Sequence, residues 1–129
     1  LIIPCYNESK NLPLLIDRCK DLFSVEKNVE VIIVDNGSKD NTSEVLDELL
    51  IGLSFVQKVK VEHNKGYGHG ILSGLKVASG DILSWSHADM QTDICDVLDG
   101  LKIFNKESNI EDLFIKENPS VFILVSVFF

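Results

Sequence analysis

The sequence predicts an α/β fold in which helices cover both faces of a mostly parallel sheet. First, apolar runs of strand length alternate with segments of helical periodicity, in the order β-α-β-α-β-α-β-α. Second, residues 29–35 form a β-branched run that is typical of a strand covered on both faces. Third, a polar cluster follows each strand, at the edge where sheets of this class bind ligands.

The first elements are a strand, a helix and a second strand. Residues 1–4 are the end of an apolar strand, and the apolar spacing over residues 12–23 predicts an amphipathic helix capped by Asn11. The run at residues 29–35 ends in Asn36-Gly37-Ser38, which is turn chemistry.

The second helix and the third strand follow directly. Asn41 and Glu44 have the spacing of a capping box, and the buried face of this helix falls within residues 45–50. Residues 55–62 alternate more in polarity than the earlier strands do, which predicts a strand nearer the edge of the sheet.

A glycine-rich stretch follows the third strand. Its glycines allow tight turns and close approach to a ligand or a neighbouring strand, and they are Gly66, Gly68, Gly70 and Gly74. Apolar residues over 71–78 indicate the next helix, residues 81–86 read as a short buried strand, and Asp93 caps a last helix over 94–104.

These elements predict one α/β domain over residues 1–104 and a tail over residues 105–129, made of a linker and a strand-length apolar run. Because Leu1 already lies inside an apolar run, we expect a fragment that is incomplete at both ends. No stretch reaches the roughly 18 apolar residues that indicate a membrane-spanning helix.

Composition narrows the classes of partner. The net charge of −8 and the pI near 4.7 argue against a nucleic-acid-binding surface and against a polybasic membrane patch. Cys5, Cys19 and Cys95 are odd in number and widely spaced, which fits reduced thiols and a cytoplasmic localisation. An anionic ligand would therefore need a local device, such as a metal ion, a helix N-terminus or one lysine.

The candidate metal ligands follow the strand at residues 81–86. His87, Asp89 and Gln91 stand at alternate positions, so in an extended backbone their side chains would point the same way. An imidazole, a carboxylate and an amide oxygen suit Mg²⁺ or Mn²⁺, although the same pattern also occurs in solvated loops. Polar clusters at four strand ends would form a single cleft, and this favours the metal site.

The glycine-rich motif and two single residues each have a plainer explanation beside the functional one. Gly66-x-Gly68-x-Gly70 invites a dinucleotide site, but position 71 is Ile and the motif follows the third strand instead of the first. Lys65 could offset phosphate charge or be solvated, and Tyr6 could stack on a base or simply pack. No catalytic base is identified. His63 and His69 are expected at the surface, and Trp85 in the core.

Several blocks of the sequence together resemble the family 2 glycosyltransferases, most closely the dolichyl-phosphate mannosyltransferase and bacterial polyprenyl-phosphate glycosyltransferase branch. They are Pro4-Cys5-Tyr6-Asn7-Glu8, Val31 to Ser38 with Asp40 and Thr42, Asn64 to Gly68, Gly80-Asp81, and Ala88-Asp89-Met90-Gln91. The resemblance implies a truncated GT-A fold, a Rossmann-like sheet in which residues 1–104 bind a nucleotide-diphosphate sugar.

The resemblance also implies roles for single residues. Those assigned to the nucleotide sugar are Pro4, Tyr6, Glu8, Val34, Asp35, Asn36, Lys65, Ala88 and Asp89. Those assigned to Mn²⁺ or Mg²⁺ are His87, Asp89 and Gln91. His87 stands where the family usually has Asp, which either favours Mn²⁺ over Mg²⁺ or weakens the site. Asn36 replaces the acid that accepts a hydrogen bond from the base, although an amide can also accept.

The implied reaction is metal-dependent transfer of the sugar to an acceptor, either a polyprenyl phosphate or a glycan. A membrane association is expected through a missing C-terminal part. Two alternatives stay open: a nucleotide-sugar-binding module without turnover, and a nucleotidyltransferase of similar topology, which would release pyrophosphate from a nucleoside triphosphate and a sugar phosphate.

Overall fold

The computed structural model describes residues 1–106 and 122–125 of the chain. The elements in chain order are β1 (Ile2–Cys5), α1 (Leu12–Val25), β2 (Val31–Asn36), α2 (Thr42–Leu49), β3 (Val56–Val61), α3 (Tyr67–Leu75), β4 (Ile82–Trp85), a 3-10 turn (Ile94–Asp96), α4 (Val97–Lys106) and β5 (Phe122–Val125). The predicted alternation of strands and helices is confirmed. The predicted tail over residues 105–129 falls outside the described residues except for the end of α4 and β5.

The strands form one sheet in the order β3-β2-β1-β4-β5. The first four are parallel, and β5 runs antiparallel to β4. β3 lies at the edge, as its alternating pattern predicts. The chain proceeds from β1 outward to β3 and then returns to place β4 on the other side of β1. Because the direction of winding reverses there, a crevice opens between the carboxyl ends of β1 and β4.

Two apolar clusters hold the layers together. On one face, Ile3 and Ile33 pack against the buried side of α1, which includes Leu15 and Ile16. On the other face, Ile2, Ile32 and Val34 form a smaller cluster. Successive strand residues thus point to opposite faces. Burying each such side chain contributes about 1.5–3 kcal/mol, so both covered faces stabilise the sheet.

α3 begins at Tyr67, earlier than its apolar periodicity predicts, so most of the glycine-rich stretch is helical. A Cβ on Gly74 would overlap Ile2 Cγ2, and a Cβ on Gly70 would lie 3.0 Å from both Pro4 Cβ and Asn36 Nδ2. The absence of side chains at these positions lets α3 lie directly on the sheet. Of the four glycines, Gly66 has a positive φ, 98°.

Asn11 and Asn41 occupy the predicted N-cap positions of α1 and α2, but the predicted capping by their side chains is wrong. Neither Asn11 nor Asn41 makes a capping hydrogen bond with its side chain. Asn11 Nδ2 instead donates to Glu8 Oε2 at 2.6 Å, while the first amide of α2 donates to Asp40 Oδ1 at 3.0 Å. The cap by Asp93 is confirmed, since its carboxylate accepts from the amide of Cys95 at 3.0 Å.

The three cysteines are free thiols. Burial raises the pKa of Cys19 to about 12 and also raises the pKa of Cys5. Both thiols therefore stay protonated and act as small apolar groups. Within the described residues, no helix has both the length and the apolar character to cross a bilayer.

Candidate functional site

A cavity of about 310 Å³ opens at the carboxyl edge of the sheet, in the crevice between β1 and β4. Each of the four parallel strands contributes to it through the residues at or beyond its carboxyl end. This confirms the single cleft that the sequence predicts. The residues lining the cavity are Pro4, Cys5, Tyr6, Glu8, Asn36, Asn64, Tyr67, His87, Ala88 and Asp89.

A second cavity of about 370 Å³ lies at the opposite edge of the sheet. Its lining includes the segment before β2, with Glu30, and the segment that leads into β4, with Ser79. Glu30 is already engaged there, because its carboxylate accepts hydrogen bonds from Ser79 and Gln57. Sheets of this class bind ligands at the carboxyl ends of their strands, so the smaller cavity is the candidate site.

Asn7 fastens the loop after β1 to the loop after β2. Its φ of 57° is left-handed, a conformation that asparagine tolerates better than most residues. Its backbone N–H donates to Ser38 Oγ at 3.0 Å, and its side-chain Oδ1 accepts from the backbone N–H of Lys39 at 2.8 Å. Tyr6 and Glu8, which flank it, both line the cavity.

Thr42 extends this connection. Its buried hydroxyl accepts from the amide of Glu8 at 2.9 Å and donates to Asp40 Oδ1 at 2.6 Å. Desolvation raises the pKa of Asp40, but hydrogen bonds from Thr42 and Ser9 outweigh it and hold that pKa below its usual value. One threonine hydroxyl thus links the start of α2 to the cavity rim.

Asn36 places a buried acceptor on the cavity wall. The residue is 3% exposed, and its Nδ2 donates to the carbonyl oxygen of Gly66 at 2.9 Å. This bond fixes which way the amide faces. Its Oδ1 is buried and has no hydrogen-bond partner among the described residues. A buried acceptor without a partner costs free energy, so a ligand that donates there would remove the penalty.

Tyr67 and His87 form another part of the wall. Their rings are stacked, with 5.0 Å between centroids and 5° between planes, and the Tyr67 hydroxyl donates to the carbonyl oxygen of Ser86 at 3.3 Å. Burial, followed by the nearby Asp89 carboxylate, raises the pKa of Tyr67, which keeps the hydroxyl protonated as a donor.

The backbone after β4 is not extended, contrary to the prediction. The strand ends at Trp85, and Met90 has a φ of 61°. The backbone N–H of Gln91 donates to Asp89 Oδ1 at 3.1 Å, and this bond closes a tight turn. His87 and Asp89 consequently line the cavity, whereas Gln91 does not.

The residues of this turn still suit a divalent ion. In the part of the chain described, no group of three or more His, Cys, Asp or Glu side chains is placed to hold a metal. One carboxylate and one imidazole are a borderline donor set that matches Mn²⁺. Ions of this kind often take their remaining ligands from substrate phosphates, so a two-residue protein contribution fits.

The structure brings together six of the residues predicted to bind the nucleotide sugar: Pro4, Tyr6, Glu8, Asn36, Ala88 and Asp89. Val34 and Asp35 are instead buried within β2, and the exposed Lys65 is not part of the lining. Asp35 Oδ1 accepts from the amide of Ser38 at 3.0 Å, so it shapes the turn beside the cavity. The binding roles of all these residues stay predictions.

Sequence reasoning gave no individual role to Asn64, Tyr67 or Cys5, which also line the cavity. Asn64 and Tyr67 belong to the predicted strand-end segment, but the stacking partner of Tyr67 lies after a different strand. His69 is half-buried rather than fully at the surface, and its Nδ1 is buried without a partner among the described residues. Trp85 is half-buried against the smaller apolar cluster.

A family model described as Glycosyl transferase family 2 matches residues 1–114. An undecaprenyl-phosphate 4-deoxy-4-formamido-L-arabinose transferase of Proteus mirabilis is 36% identical over 93 residues, covering 70% of this chain and 28% of that protein. The transferase of the same name from Yersinia pestis is 36% identical over 96 residues, with the same two coverages. The chain thus spans less than a third of these relatives.

Solved structures have the same fold. A mannosyltransferase of Pyrobaculum calidifontis in complex with GDP-Man and Mn²⁺ aligns with a TM-score of 0.69 at 24% identity, over 78% of this chain and 30% of that one. Staphylococcus aureus TarS 1–349 in complex with UDP-GlcNAc aligns with a TM-score of 0.65 at 20% identity, over 81% and 30%. The architecture is therefore that of GT-A glycosyltransferases.

Proposed function

Because the chain belongs to glycosyl transferase family 2, we propose that it is the donor-binding part of a metal-dependent glycosyltransferase. Its donor is a nucleoside-diphosphate sugar, held in the cavity between β1 and β4. The observation that carries this proposal is the convergence of Asn36, at the end of β2, and Asp89, after β4, on one cavity. This gives the site a buried acceptor and a carboxylate within the reach of one ligand.

The base would occupy the side of the cavity nearest Asn36. The Asn36 amide donates to Gly66, so its unpartnered oxygen can accept a ring N–H such as that of uracil or guanine. Tyr6, which is 40% exposed at the rim, offers a ring surface for stacking. The ligands in two of the similar solved structures, GDP-Man and UDP-GlcNAc, contain guanine and uracil, whose ring N–H groups can donate such a hydrogen bond.

The diphosphate would lie toward His87 and Asp89, which would hold the divalent ion. When bound there, such an ion supplies positive charge against the diphosphate that leaves the sugar. The chain itself has a net charge of −8 and exposes Asp89, so this end of the cavity is not basic. Ala88, which is 4% exposed, lines this part of the cavity with a small side chain.

For the acceptor we propose a polyprenyl phosphate. Two relatives from Proteus and Yersinia are named for transfer to undecaprenyl phosphate. A phosphate acceptor is already anionic and would need no general base, which agrees with a site whose residues offer no assigned base. We place the reaction in the cytoplasm, at the cytoplasmic face of a membrane; the free thiols support a reducing compartment.

Calorimetric titration tests the donor proposal. The chain is titrated with GDP-mannose, UDP-GlcNAc and, as a control that keeps the diphosphate, CDP-glucose, each with and without Mn²⁺. The expected result is Mn²⁺-enhanced binding of the guanine or uracil donor and weak binding of the cytosine one, whose ring nitrogen is an acceptor. Absence of binding to all three in both conditions would refute the proposal.

Release of free sugar is measured in the same samples. Metal-dependent binding without any sugar release or transfer to a polyprenyl phosphate would favour a binding module over a complete enzyme.

A further inference from the structure

The wall of the cavity formed by Tyr67 and His87 joins two separate parts of the fold. Tyr67 is the first residue of α3, which covers one face of the sheet, while His87 follows β4, the strand next to β1 on the other side of the crevice. Their rings are parallel within 5° and their centroids are 5.0 Å apart. Through this stack, a residue of α3 contacts the ring of His87, which lies after β4 at the proposed diphosphate end of the cavity.

Tyr67 is itself held from two directions. Its hydroxyl donates to the carbonyl oxygen of Ser86 at 3.3 Å, and the amide of Ser86 in turn donates to Ile2 at 3.0 Å within the sheet. The preceding residue, Gly66, accepts the hydrogen bond from Asn36 at 2.9 Å. The hydroxyl contact to Ser86 and the anchored backbone at Gly66 thus hold the phenol ring, which is 42% exposed, beside the imidazole.

The stacking geometry leaves the imidazole available for chemistry. Tyr67 covers a face of the His87 ring, whereas both ring nitrogens carry their protons or lone pairs in the ring plane. Among the described residues, none hydrogen-bonds to either nitrogen of His87. Asp89 lines the same cavity and accepts the amide of Gln91 through Oδ1.

We propose that Tyr67 is a positioning residue that fixes the plane of the His87 imidazole beside Asp89, so that one ring nitrogen is presented to a divalent ion at the diphosphate end. This rests on the proposed function of the cavity. Partners that orient a metal-binding histidine usually do so through a hydrogen bond to its second nitrogen. Here the face of the ring is held instead, and neither nitrogen has a hydrogen-bond partner among the described residues.

This arrangement has a consequence for the choice of metal. Imidazole nitrogen suits Mn²⁺, while Mg²⁺ prefers oxygen ligands. Losing the stack should therefore weaken Mn²⁺ binding more than Mg²⁺ binding. A residue that only packs would change stability without changing the ratio of the two affinities.

The experiment measures Mn²⁺ affinity from the EPR signal of free Mn²⁺, in the presence of GDP and separately of UDP, with Mg²⁺ as a competitor. It compares the parent chain with Tyr67→Leu, Tyr67→Phe, His87→Ala and the double variant Tyr67→Leu with His87→Ala. Leu72→Ala is the control, because Leu72 lies on the same helix and is 59% exposed.

Tyr67→Leu should weaken Mn²⁺ binding by about tenfold and Mg²⁺ binding by much less, since loss of an orienting partner costs about 10–100-fold. Tyr67→Phe keeps the ring and should stay within about threefold of the parent. The double variant should bind no more weakly than His87→Ala, because the two residues act through one ligand. Equal losses for Mn²⁺ and Mg²⁺, or additive losses in the double variant, would overturn the proposal.

Proton NMR of the parent gives a test that does not depend on folding of the Tyr67→Leu variant. Stacking on Tyr67 should shift the ring protons of His87 upfield relative to those of His63, which is exposed. Coincident shifts would also overturn the proposal. If the parent chain binds neither GDP nor UDP, in metal-free buffer or with Mn²⁺, the result would instead count against the donor site as a whole.

Discussion

The carbonyl oxygen of Gly66 orients the side chain of Asn36, since it accepts a hydrogen bond from Asn36 Nδ2 at 2.9 Å. The other end of the amide, Oδ1, is buried on the cavity wall without a partner among the described residues. Gly66 can accept from this position because its φ of 98° turns the backbone before α3. The glycine-rich segment therefore controls the polarity of the site.

Asn36→Asp should destabilise the chain at neutral pH by about 1–3 kcal/mol. A carboxylate at this buried position would face the Gly66 carbonyl, so two acceptors would meet without a proton between them. Burial and this contact should raise the pKa of the introduced carboxyl. Because the pKa of this carboxyl is higher in the folded state than in the unfolded chain, its protonated form stabilises the folded state at pH below the unfolded pKa. That stabilisation is lost as the pH rises through the folded-state pKa.

Urea unfolding of Asn36→Asp and of the parent between pH 4.5 and 8 checks this. The difference in the free energy of unfolding should grow with pH. A constant difference would mean that Gly66 does not act as the acceptor for residue 36.

Gly74→Ala should destabilise the fold by about 1–3 kcal/mol, as overpacking in a well-packed core does. The added methyl would overlap Ile2 and lie 3.1 Å from Val34 Cγ2. Gly68→Ala is the matched control on the same helix, because a Cβ there meets nothing within 4 Å. Chemical denaturation should show a large loss for the first variant and little change for the second; equal effects would contradict the close packing of α3.

Thr42→Val should cost about 1–3 kcal/mol, since the amide of Glu8 and the carboxylate of Asp40 lose their shared partner. The pKa of Asp40 is lowered in the folded state. The Asp40 carboxylate therefore stabilises the folded state at pH above the usual pKa of aspartate, and this stabilisation is lost as the pH falls through the lowered folded-state pKa. In the variant this acid-side dependence should shrink.

Acid titrations followed by circular dichroism test both parts of this prediction. Thr92→Val is the control, because the Thr92 hydroxyl has a longer contact of 3.4 Å to Ser86. A larger loss for Thr92→Val than for Thr42→Val would refute the assigned connection between the two loops.

Asp89→Asn should weaken Mn²⁺ binding in the presence of GDP or UDP by about tenfold or more. Even the loss of a residue that only orients a metal ligand lowers metal affinity by about 10–100-fold. Gln91→Ala should have a smaller effect, because the turn at Met90 places Gln91 outside the cavity lining. Mn²⁺ EPR measures both affinities. If Gln91→Ala caused the larger loss, the turn would have to open when the metal binds.

The fold could be predicted from sequence because the patterns that specify it are local. The β-branched run around Val31 and the helical spacing around Leu15 each identify their own element, and the polar ends follow from strand direction. The start of α3 within the glycine-rich segment could not be predicted, because glycine by itself favours turns. Only packing against Ile2 and Pro4 shows why glycine is needed in α3.

The details of the site depend on contacts between segments distant in sequence. Asn11 and Asn41 have cap chemistry, but the Asn11 side chain donates to Glu8 instead, and Asp40 accepts from the first amide of α2. The turn after β4 arises at Met90, a residue type that gives no signal for a positive φ. The stack of Tyr67 on a residue beyond another strand likewise needs the tertiary structure.

The most direct measurement is paramagnetic broadening of assigned backbone amide resonances by Mn²⁺ in the presence of GDP or UDP. If the strand-end loops share one ion and one nucleotide, the amides of Tyr6, Asn64 and Ala88 should broaden together. Those of Asn28 and Ser79, at the opposite edge, should stay sharp. Broadening confined to the loop after β4, or centred on Asn28 and Ser79, would contradict the account.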